Sequence, residues 1–340
     1  MIKKVSVDDA IGMVLVHDMT KIVPGEFKGP AFKKGHIIRE EDISELKSMG
    51  KNHIYILELD KNTIHENEAS VRIANAAKGE GIELVGPSEG KVNFLSKNRG
   101  LLKINIEALE RINEIEGVVL ATLHTNTLVE EGKVLAGAKL IPLVCEEEKI
   151  KEVENICREF GSVVSVKPVK DYKVGVVVTG TEVYDGIIKD KFGPLLRKKA
   201  DEYGCTIVDV LYARDDEEMI RGCIDNLLAR GCEIIITSGG MSVDPDDLTP
   251  SVISQVADEI VTYGSPVIPG AMFMIAYKAD VPILGLPACG MFFKVTVFDI
   301  VFKRLIAGER ITKKDMASLA HGGLCQSCKV CHYPICPFGN

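Results

Sequence analysis

Two glycine-bearing polar loops are the segments of this sequence whose residue types could bind a small ligand. The first contains Thr179, Gly180, Thr181 and Glu182, and the second contains Ser238, Gly239, Gly240, Met241 and Ser242, continuing to Asp247-Leu248-Thr249. Glycine lets a backbone approach a bound group closely, and main-chain N–H groups with hydroxyls can surround a phosphate. Either loop alone is better explained as an ordinary strand-to-helix turn, whereas the pair favours a binding site.

Carboxylates lie in or near both loops. They are Glu182, Asp190, Asp244, Asp246 and Asp247. Such groups could accept hydrogen bonds from the amino and ring N–H groups of a pterin, or hold Mg²⁺ beside a phosphate.

Four cysteines near the end of the sequence form a second candidate site. Cys325, Cys328, Cys331 and Cys336 follow the spacing Cys-x2-Cys-x2-Cys-x4-Cys-Pro. This pattern has one residue more than a ferredoxin-type run, and it also suits a tetrahedral zinc ion. The third closely spaced cysteine and the trailing proline favour an iron–sulfur cluster over Zn²⁺. The alternative is a flexible reduced tail, or disulfides formed on oxidation.

The regular elements around the two loops predict how they are positioned. Apolar strands are predicted at 174–178, 206–211 and 233–237, alternating with helices at 195–203, 217–229 and 250–256. Strands buried on both faces that alternate with helices indicate an α/β domain, a three-layer αβα arrangement with a mainly parallel sheet. Both loops would then lie at the carboxyl edge of that sheet. A mixed α+β N-terminal region precedes this domain.

Composition excludes several classes of function. The 340 residues carry 41 basic and 49 acidic side chains, a net charge of −8, which argues against binding to nucleic acid or acidic lipid. No apolar run long enough to span a membrane and no signal peptide are evident, so we expect a cytoplasmic protein without a membrane partner.

Residues 173–250 resemble the molybdopterin-binding domain shared by molybdopterin adenylyltransferases and molybdopterin molybdotransferases. The resemblance rests on Thr179–Glu182, Asp190, the run from Ser238 to Val243, Asp247–Thr249, and Asp215-Asp216 at the start of a helix. Beyond it, Gly285-Leu286-Pro287 resembles the molybdotransferase branch, with Ala288-Cys289-Gly290 where that branch has Gly-Asn-Pro. This loop is predicted to open a helix that runs through Leu305.

The resemblance implies a function and roles for these residues. A molybdotransferase inserts molybdate into adenylylated molybdopterin. Thr179–Thr181, Ser238–Ser242 and the Pro287 loop would bind phosphate and pterin. Glu182, Asp190, Asp244 and Asp247 would be the catalytic acidic residues. The resemblance also implies a homodimer. The cysteine tail points to a specialised branch, in which it could carry electrons, sense redox state or dock to a molybdoenzyme.

Two other functions stay open. The loop Asp246-Asp247-Leu248-Thr249 also resembles the competence-damage-inducible family, which implies a nucleotide pyrophosphatase. Alternatively, a noncatalytic module could bind pterin and engage a redox partner. We therefore predict four segments: a β-rich segment 1–60, an α+β region of unclear role 61–170, the molybdopterin-binding domain 171–310 and the cysteine-rich tail 311–340.

Overall fold

The computed structural model describes residues 2–23, 27–57, 62–88, 90–242 and 244–339, so Val243 of the second loop lies outside the described residues. The chain divides into two compact units. One comprises the described residues of Met1–His124 and Val129–Val166, and the other comprises Thr125–Leu128 with the described residues of Lys167–Asn340. The four predicted segments stay a prediction.

The elements up to residue 168 alternate short strands with four helices among the described residues. The helices are α1 (Asp42–Ser48), α2 (Glu66–Ala77), α3 (Ile106–Asn113) and α4 (Glu147–Phe160). The strands are β1 (Ile2–Ser6), β2 (Val14–Leu15), β3 (Met19–Val23), β4 (Phe27–Phe32), β5 (His53–Leu57), β6 (Thr63–His65), β7 (Ile82–Ser88), β8 (Lys91–Ser96), β9 (Gly100–Ile104), β10 (Val118–Thr122), β11 (Leu128–Val129), β12 (Val134–Leu140), β13 (Val144–Glu146) and β14 (Val164–Pro168).

The first unit has two separate apolar cores. One lies between residues 7 and 56, where β1, β5 and β2 form a small antiparallel sheet. The other lies between residues 64 and 166, where α2 packs on the antiparallel sheet β10–β12–β8–β7.

The second unit contains the predicted alternation of strands and helices. Its helices are α5 (Thr181–Tyr184), α6 (Phe192–Tyr203), α7 (Glu217–Ala229), α8 (Thr249–Val256), α9 (Val297–Leu305) and α10 (Lys313–Ser318). Its strands are β15 (Lys173–Thr179), β16 (Thr206–Ala213), β17 (Ile234–Ser238), β18 (Glu259–Tyr263), β19 (Met274–Lys278) and β20 (Val281–Leu286).

These six strands form one sheet in the order β16–β15–β17–β20–β19–β18. The first four run parallel, and β19 and β18 continue the sheet antiparallel. The strand β15 is buried from Val174 to Thr179 because the sheet is covered on both faces there. Gly175 on this strand leaves room for α7, since an added Cβ would meet Leu227 at 2.9 Å.

Alternate side chains of β15 enter two different cores. Val176 and Val178 pack in a cluster with residues of α6 and α9, whereas Val177 packs with residues of α7 and α8. Successive side chains of a strand point to opposite faces, so this alternation places helices against both faces. The mixed α/β class predicted from the sequence is confirmed.

The predicted helix running through Leu305 is wrong at its start. A short 3-10 turn covers Ala288–Met291, and α9 begins only at Val297. Thr296 and Asp299 form a reciprocal capping box, which satisfies the first N–H groups of α9 and fixes its start there. Asp299 is buried and also pairs with Lys199 of α6. Among the described residues, no helix is both long and apolar enough to cross a membrane.

Candidate functional site

The two glycine-bearing loops lie side by side at the carboxyl edge of the six-stranded sheet. Strands β15 and β17 are parallel neighbours, and Val178 stands opposite Ser238 in their register. On the other side of β17, Ser238 stands opposite Leu286, so Pro287 leaves the sheet at the same edge. The structure therefore brings the predicted residues of both loops and Pro287 together.

A buried hydroxyl network connects the first loop to the second. Thr179 Oγ1 donates to Ser238 O at 3.2 Å and lies 3.2 Å from Thr249 Oγ1. Thr249 Oγ1 in turn donates to Gly239 O at 2.9 Å. The hydroxyl of Thr179 thus holds the two loops together, a different role from the ligand donor that the sequence predicted. Thr249 belongs to the motif of the second loop, but the sequence does not predict its place in this network.

Position 239 requires glycine because of its backbone conformation and because of its close neighbours. Its φ of +94° lies in the region that side chains disfavour. A Cβ built on Gly239 would also lie 2.3 Å from Thr179 O. Gly240 has φ +53°, and its Cβ would lie 2.9 Å from Thr249 Oγ1. The glycines therefore allow the backbones of the two loops to approach each other.

Thr181 is held by an aspartate from the loop after β16. Its backbone N–H and its hydroxyl both donate to Asp215 Oδ2, at 2.9 and 3.0 Å. Asp216, the next residue, caps α7 by accepting from Met219 N at 2.8 Å. Asp215 belongs to the motif that carries the family resemblance, but the sequence does not predict it as a site residue. It fixes the start of α5, where Gly180 has φ +137°.

Two of the four predicted catalytic carboxylates already accept hydrogen bonds from other groups of the protein. Asp190 Oδ1 accepts from Phe192 N at 2.8 Å, and its Oδ2 accepts from the Tyr212 hydroxyl at 2.9 Å. Asp247 Oδ2 accepts from Ser242 N at 2.9 Å and from Asp244 N at 3.3 Å. These two carboxylates organise the loop backbones.

The other two predicted carboxylates are accessible. Glu182 and Asp244 are exposed, and within the described ranges neither side chain takes part in a hydrogen bond or ion pair. Asp246 is exposed as well. Glu182 and Asp244 can therefore meet a ligand's N–H groups without first breaking a contact in the protein.

Ser238 and Met241 differ sharply in their surroundings. Ser238 is fully buried, yet its Oγ has no hydrogen-bond partner within the described part of the chain. Met241 is buried in the core, and its Cε would lie 2.5 Å from a Cβ added to Gly285. The side chain of Met241 is thus a packing group, whereas the hydroxyl of Ser238 is buried with its hydrogen-bonding capacity unused.

Two tyrosines at this edge were not predicted. Tyr263 donates its hydroxyl to Met241 O at 3.0 Å and to Ser242 O at 3.2 Å, and Tyr212 binds Asp190. Burial and then the charge of Asp247 raise the pKa of Tyr263, and burial and then the hydrogen bond to Asp190 raise the pKa of Tyr212. Both phenols therefore remain hydrogen-bond donors. A sequence pattern carries no signal for them, because each reaches the loops from a different strand.

The four tail cysteines are not gathered as metal ligands. Cys325 and Cys336 are half-buried, whereas Cys328 and Cys331 are exposed. In the part of the chain that the structure describes, no group of three or more His, Cys, Asp or Glu side chains is placed to hold a metal ion. The predicted iron–sulfur or Zn²⁺ site and the predicted Mg²⁺ site are therefore not confirmed.

Comparison with known protein families identifies the domain that carries the two loops. Residues 175–307 match a family model described as "Probable molybdopterin binding domain". This stretch is similar to the domains of that family. The match supports the molybdopterin-binding domain predicted from the two loops. Residues 4–58 match a second model, described as a domain of unknown function.

Curated relatives match a stretch of 83 residues, which is shorter than the stretch matched by the family model. A CinA-like protein of Mycobacterium sp. (strain MCS) is 34% identical over 83 residues, which are 24% of this chain and 20% of that protein. A CinA-like protein of Mycolicibacterium gilvum (strain PYR-GCK) is 36% identical over 83 residues, with the same coverage. The match spans about a fifth of the length of these curated relatives.

Solved structures similar to this chain include a molybdopterin biosynthesis enzyme and a CinA protein. The molybdopterin biosynthesis enzyme MoaB from Thermus thermophilus is 19% identical and covers 41% of this chain and 98% of its own, with a TM-score of 0.35. The protein CinA from Thermoplasma acidophilum is 12% identical and covers 40% of this chain and 98% of its own, also with a TM-score of 0.35.

Proposed function

We propose that the domain at residues 175–307 binds molybdopterin, or a closely similar phosphorylated pterin or nucleotide, between the Thr179 and Ser238 loops. The protein would then act in molybdenum-cofactor biosynthesis as a molybdotransferase-like enzyme, inserting molybdate into adenylylated molybdopterin. The site would lie at one edge of a three-layer αβα domain. The family match of this stretch supports the proposal.

The observation that carries the proposal is the buried hydroxyl of Ser238. A buried polar atom without a partner is costly, by about 1–3 kcal/mol, and it calls for a specific reason. Ser238 stands at the end of a central strand, next to two positive-φ glycines that let backbones approach closely. A phosphate or pterin oxygen bound beside these glycines would give the hydroxyl its acceptor.

The remaining roles follow from the contacts. The hydroxyls of Thr179 and Thr181 position the loops, so the ligand would meet mainly main-chain N–H groups and Ser238. Pro287 would border the ligand from the neighbouring strand end. The exposed carboxylates of Glu182 and Asp244 would bind the amino edge of the pterin, a magnesium ion or molybdate. Asp190 and Asp247 would act indirectly, by holding loop backbones.

Replacing Ser238 tests the proposed site. The substitution Ser238→Ala removes an unpartnered hydroxyl, so the folded chain should be no less stable, while molybdopterin binding should weaken about tenfold, as expected for a lost hydrogen bond to a charged group. Anaerobic titration followed by pterin fluorescence measures the affinity. Ser251→Ala, at an exposed position of α8, is the matched control. Equal affinity of the wild type and Ser238→Ala would contradict the proposed site.

A nucleotide pyrophosphatase of the competence-damage-inducible type is the second candidate function. The matches to CinA-like proteins favour it, since they cover part of the chain at over 30% identity. Two assays on the full chain separate the candidates. Release of AMP from adenylylated molybdopterin only when molybdate is present selects the molybdotransferase, and hydrolysis of ADP-ribose selects the pyrophosphatase. Binding of pterin without turnover in either assay selects a noncatalytic module.

A further inference from the structure

The cysteine tail is fastened to the second unit at both of its ends. Cys325 N donates to Ile268 O at 2.9 Å, and Ile268 N donates to Gly323 O at 2.8 Å. At the far end, Gly339 N donates to Gly322 O at 3.0 Å. The tail therefore forms a closed loop, in which residues 325–339 contain no helix or strand.

The side chains of this loop are anchored in the same core as α9. Phe338 is buried in the cluster that contains Val301, and Cys325, Cys336 and Tyr333 pack against that cluster. Tyr333 also accepts a hydrogen bond from Lys303 of α9 at 3.0 Å. The tail is thus a packed part of the second unit.

All four cysteines border one cavity of about 340 Å³, which is partly open to solvent and is lined by the tail and by residues 292–295. Its wall is largely apolar, with three phenylalanine rings and one imidazole beside the thiols: Phe292, Phe293, Phe338 and His332. Thiols that border one apolar cavity can be brought onto a soft metal centre when the tail moves, whereas thiols scattered over the surface cannot.

The size of the cavity and the cysteine spacing favour a cluster over a single ion. Four sulfurs at about 2.3 Å from one zinc ion would leave most of the cavity unfilled. A cluster of four irons and four sulfides occupies far more of it and is ligated by four thiolates. The spacing Cys-x2-Cys-x2-Cys-x4-Cys-Pro differs from the ferredoxin-type run by one residue.

We propose that Cys325, Cys328, Cys331 and Cys336 bind a [4Fe–4S] cluster in this cavity. Cys325 and Cys336 are fixed by the core, and the exposed Cys328 and Cys331 turn inward when the cluster binds. The irregular backbone of residues 326–335 allows this movement, which brings the four sulfurs closer together.

The wall of the cavity also connects the cluster with the edge of the sheet. Phe292, Phe293, Lys294 and Val295 line the cavity, and they follow within nine residues of Leu286, which stands opposite Ser238. Cluster binding should therefore order residues 288–295 and reduce the hydrogen exchange of their backbone amides. This inference does not depend on which ligand the Ser238 loop binds.

The test uses the full chain, purified anaerobically and reconstituted with iron and sulfide. We expect about four irons and four sulfides per chain, a visible charge-transfer absorption, a paramagnetic signal after one-electron reduction by dithionite, and protection of residues 288–295 from exchange. Cys328→Ser and Cys331→Ser, both at exposed positions, should lose the cluster.

Two controls distinguish the loss of a cluster ligand from other effects of a substitution. One changes a residue of the tail that is not a cysteine, and the other removes a cysteine outside the tail. Lys329→Ala, in the same exposed loop, and Cys223→Ser, a half-buried thiol on α7, should retain the cluster. One zinc ion per chain without iron would overturn the cluster assignment. A cluster that survives both tail substitutions, or one that leaves residues 288–295 unprotected, would overturn its placement in this cavity.

Discussion

Thr181 donates both its backbone N–H and its hydroxyl to a single oxygen of Asp215, at 2.9 and 3.0 Å. The contact joins the loop after β15 to the loop after β16. Because the acceptor is a carboxylate, these hydrogen bonds are stronger than neutral ones. The position of the Thr181 loop therefore depends on a residue 34 positions away along the chain.

Removing this carboxylate should weaken ligand binding by disordering the loop. We expect Asp215→Ala to lower the free energy of unfolding by about 1–2 kcal/mol, and to raise the Kd for molybdopterin about tenfold. Urea unfolding and anaerobic fluorescence titration measure the two effects. Asp225→Ala, at an exposed position on α7, serves as the control and should change neither. Unchanged affinity in Asp215→Ala would mean that the Thr181 loop is not part of the site.

A paired substitution of glycines tests the close approach of the two strand-end loops. Gly239→Ala should lower the free energy of unfolding by more than about 2 kcal/mol, because its Cβ meets Thr179 O and its φ is +94°. For Gly222→Ala we expect the opposite change in the free energy of unfolding. Gly222 lies within α7 with nothing within 4 Å of an added Cβ, so alanine should stabilise the helix by about 0.5–1 kcal/mol. Equal effects of the two substitutions on the urea midpoint would refute the argument.

The pKa of Asp315 predicts a dependence of stability on pH. Burial raises this pKa, but hydrogen bonds from Thr312 and Arg304 outweigh burial and lower the pKa of Asp315 from 3.8 to about 2. The unfolded chain therefore takes up this proton at a higher pH than the folded chain. The stabilisation is fully present above about pH 5, and it is lost as the pH falls from about 4 to 2.

Asp315→Asn should remove this pH-dependent contribution. We expect the free energy of unfolding at pH 7 to fall by about 2 kcal/mol at most, since the side chain is 29% exposed, and the gap from the wild type to close near pH 2. Chemical unfolding at a series of pH values measures the gap. Asp201→Asn, at an exposed position on α6, is the control. A gap that stays constant from pH 6 to pH 2 would show that Asp315 is not the titrating group.

The sequence by itself predicted the alternation of strands and helices in the second unit and the resemblance of residues 173–250 to a molybdopterin-binding domain. Short valine-rich apolar runs such as 174–178, bounded by polar residues, favour strands that are buried on both faces. Glycine and hydroxyl residues after two such runs are typical of a phosphate-binding edge. The order of the strands, their register and the antiparallel β18 and β19 depend on pairing between distant segments, which local patterns do not encode. The predicted homodimer and molybdoenzyme partner stay predictions.

Only the tertiary structure decided which predicted site residues are free to meet a ligand. Thr179, Thr181, Asp190 and Asp247 have the residue types of ligand-binding groups, yet each is occupied by a partner that folding brings close. Whether a hydroxyl or carboxylate is occupied depends on neighbours from other strands, such as Asp215 and Tyr212. For the same reason, the cysteine spacing suggested a metal centre, and the folded chain shows how the tail is anchored around one cavity.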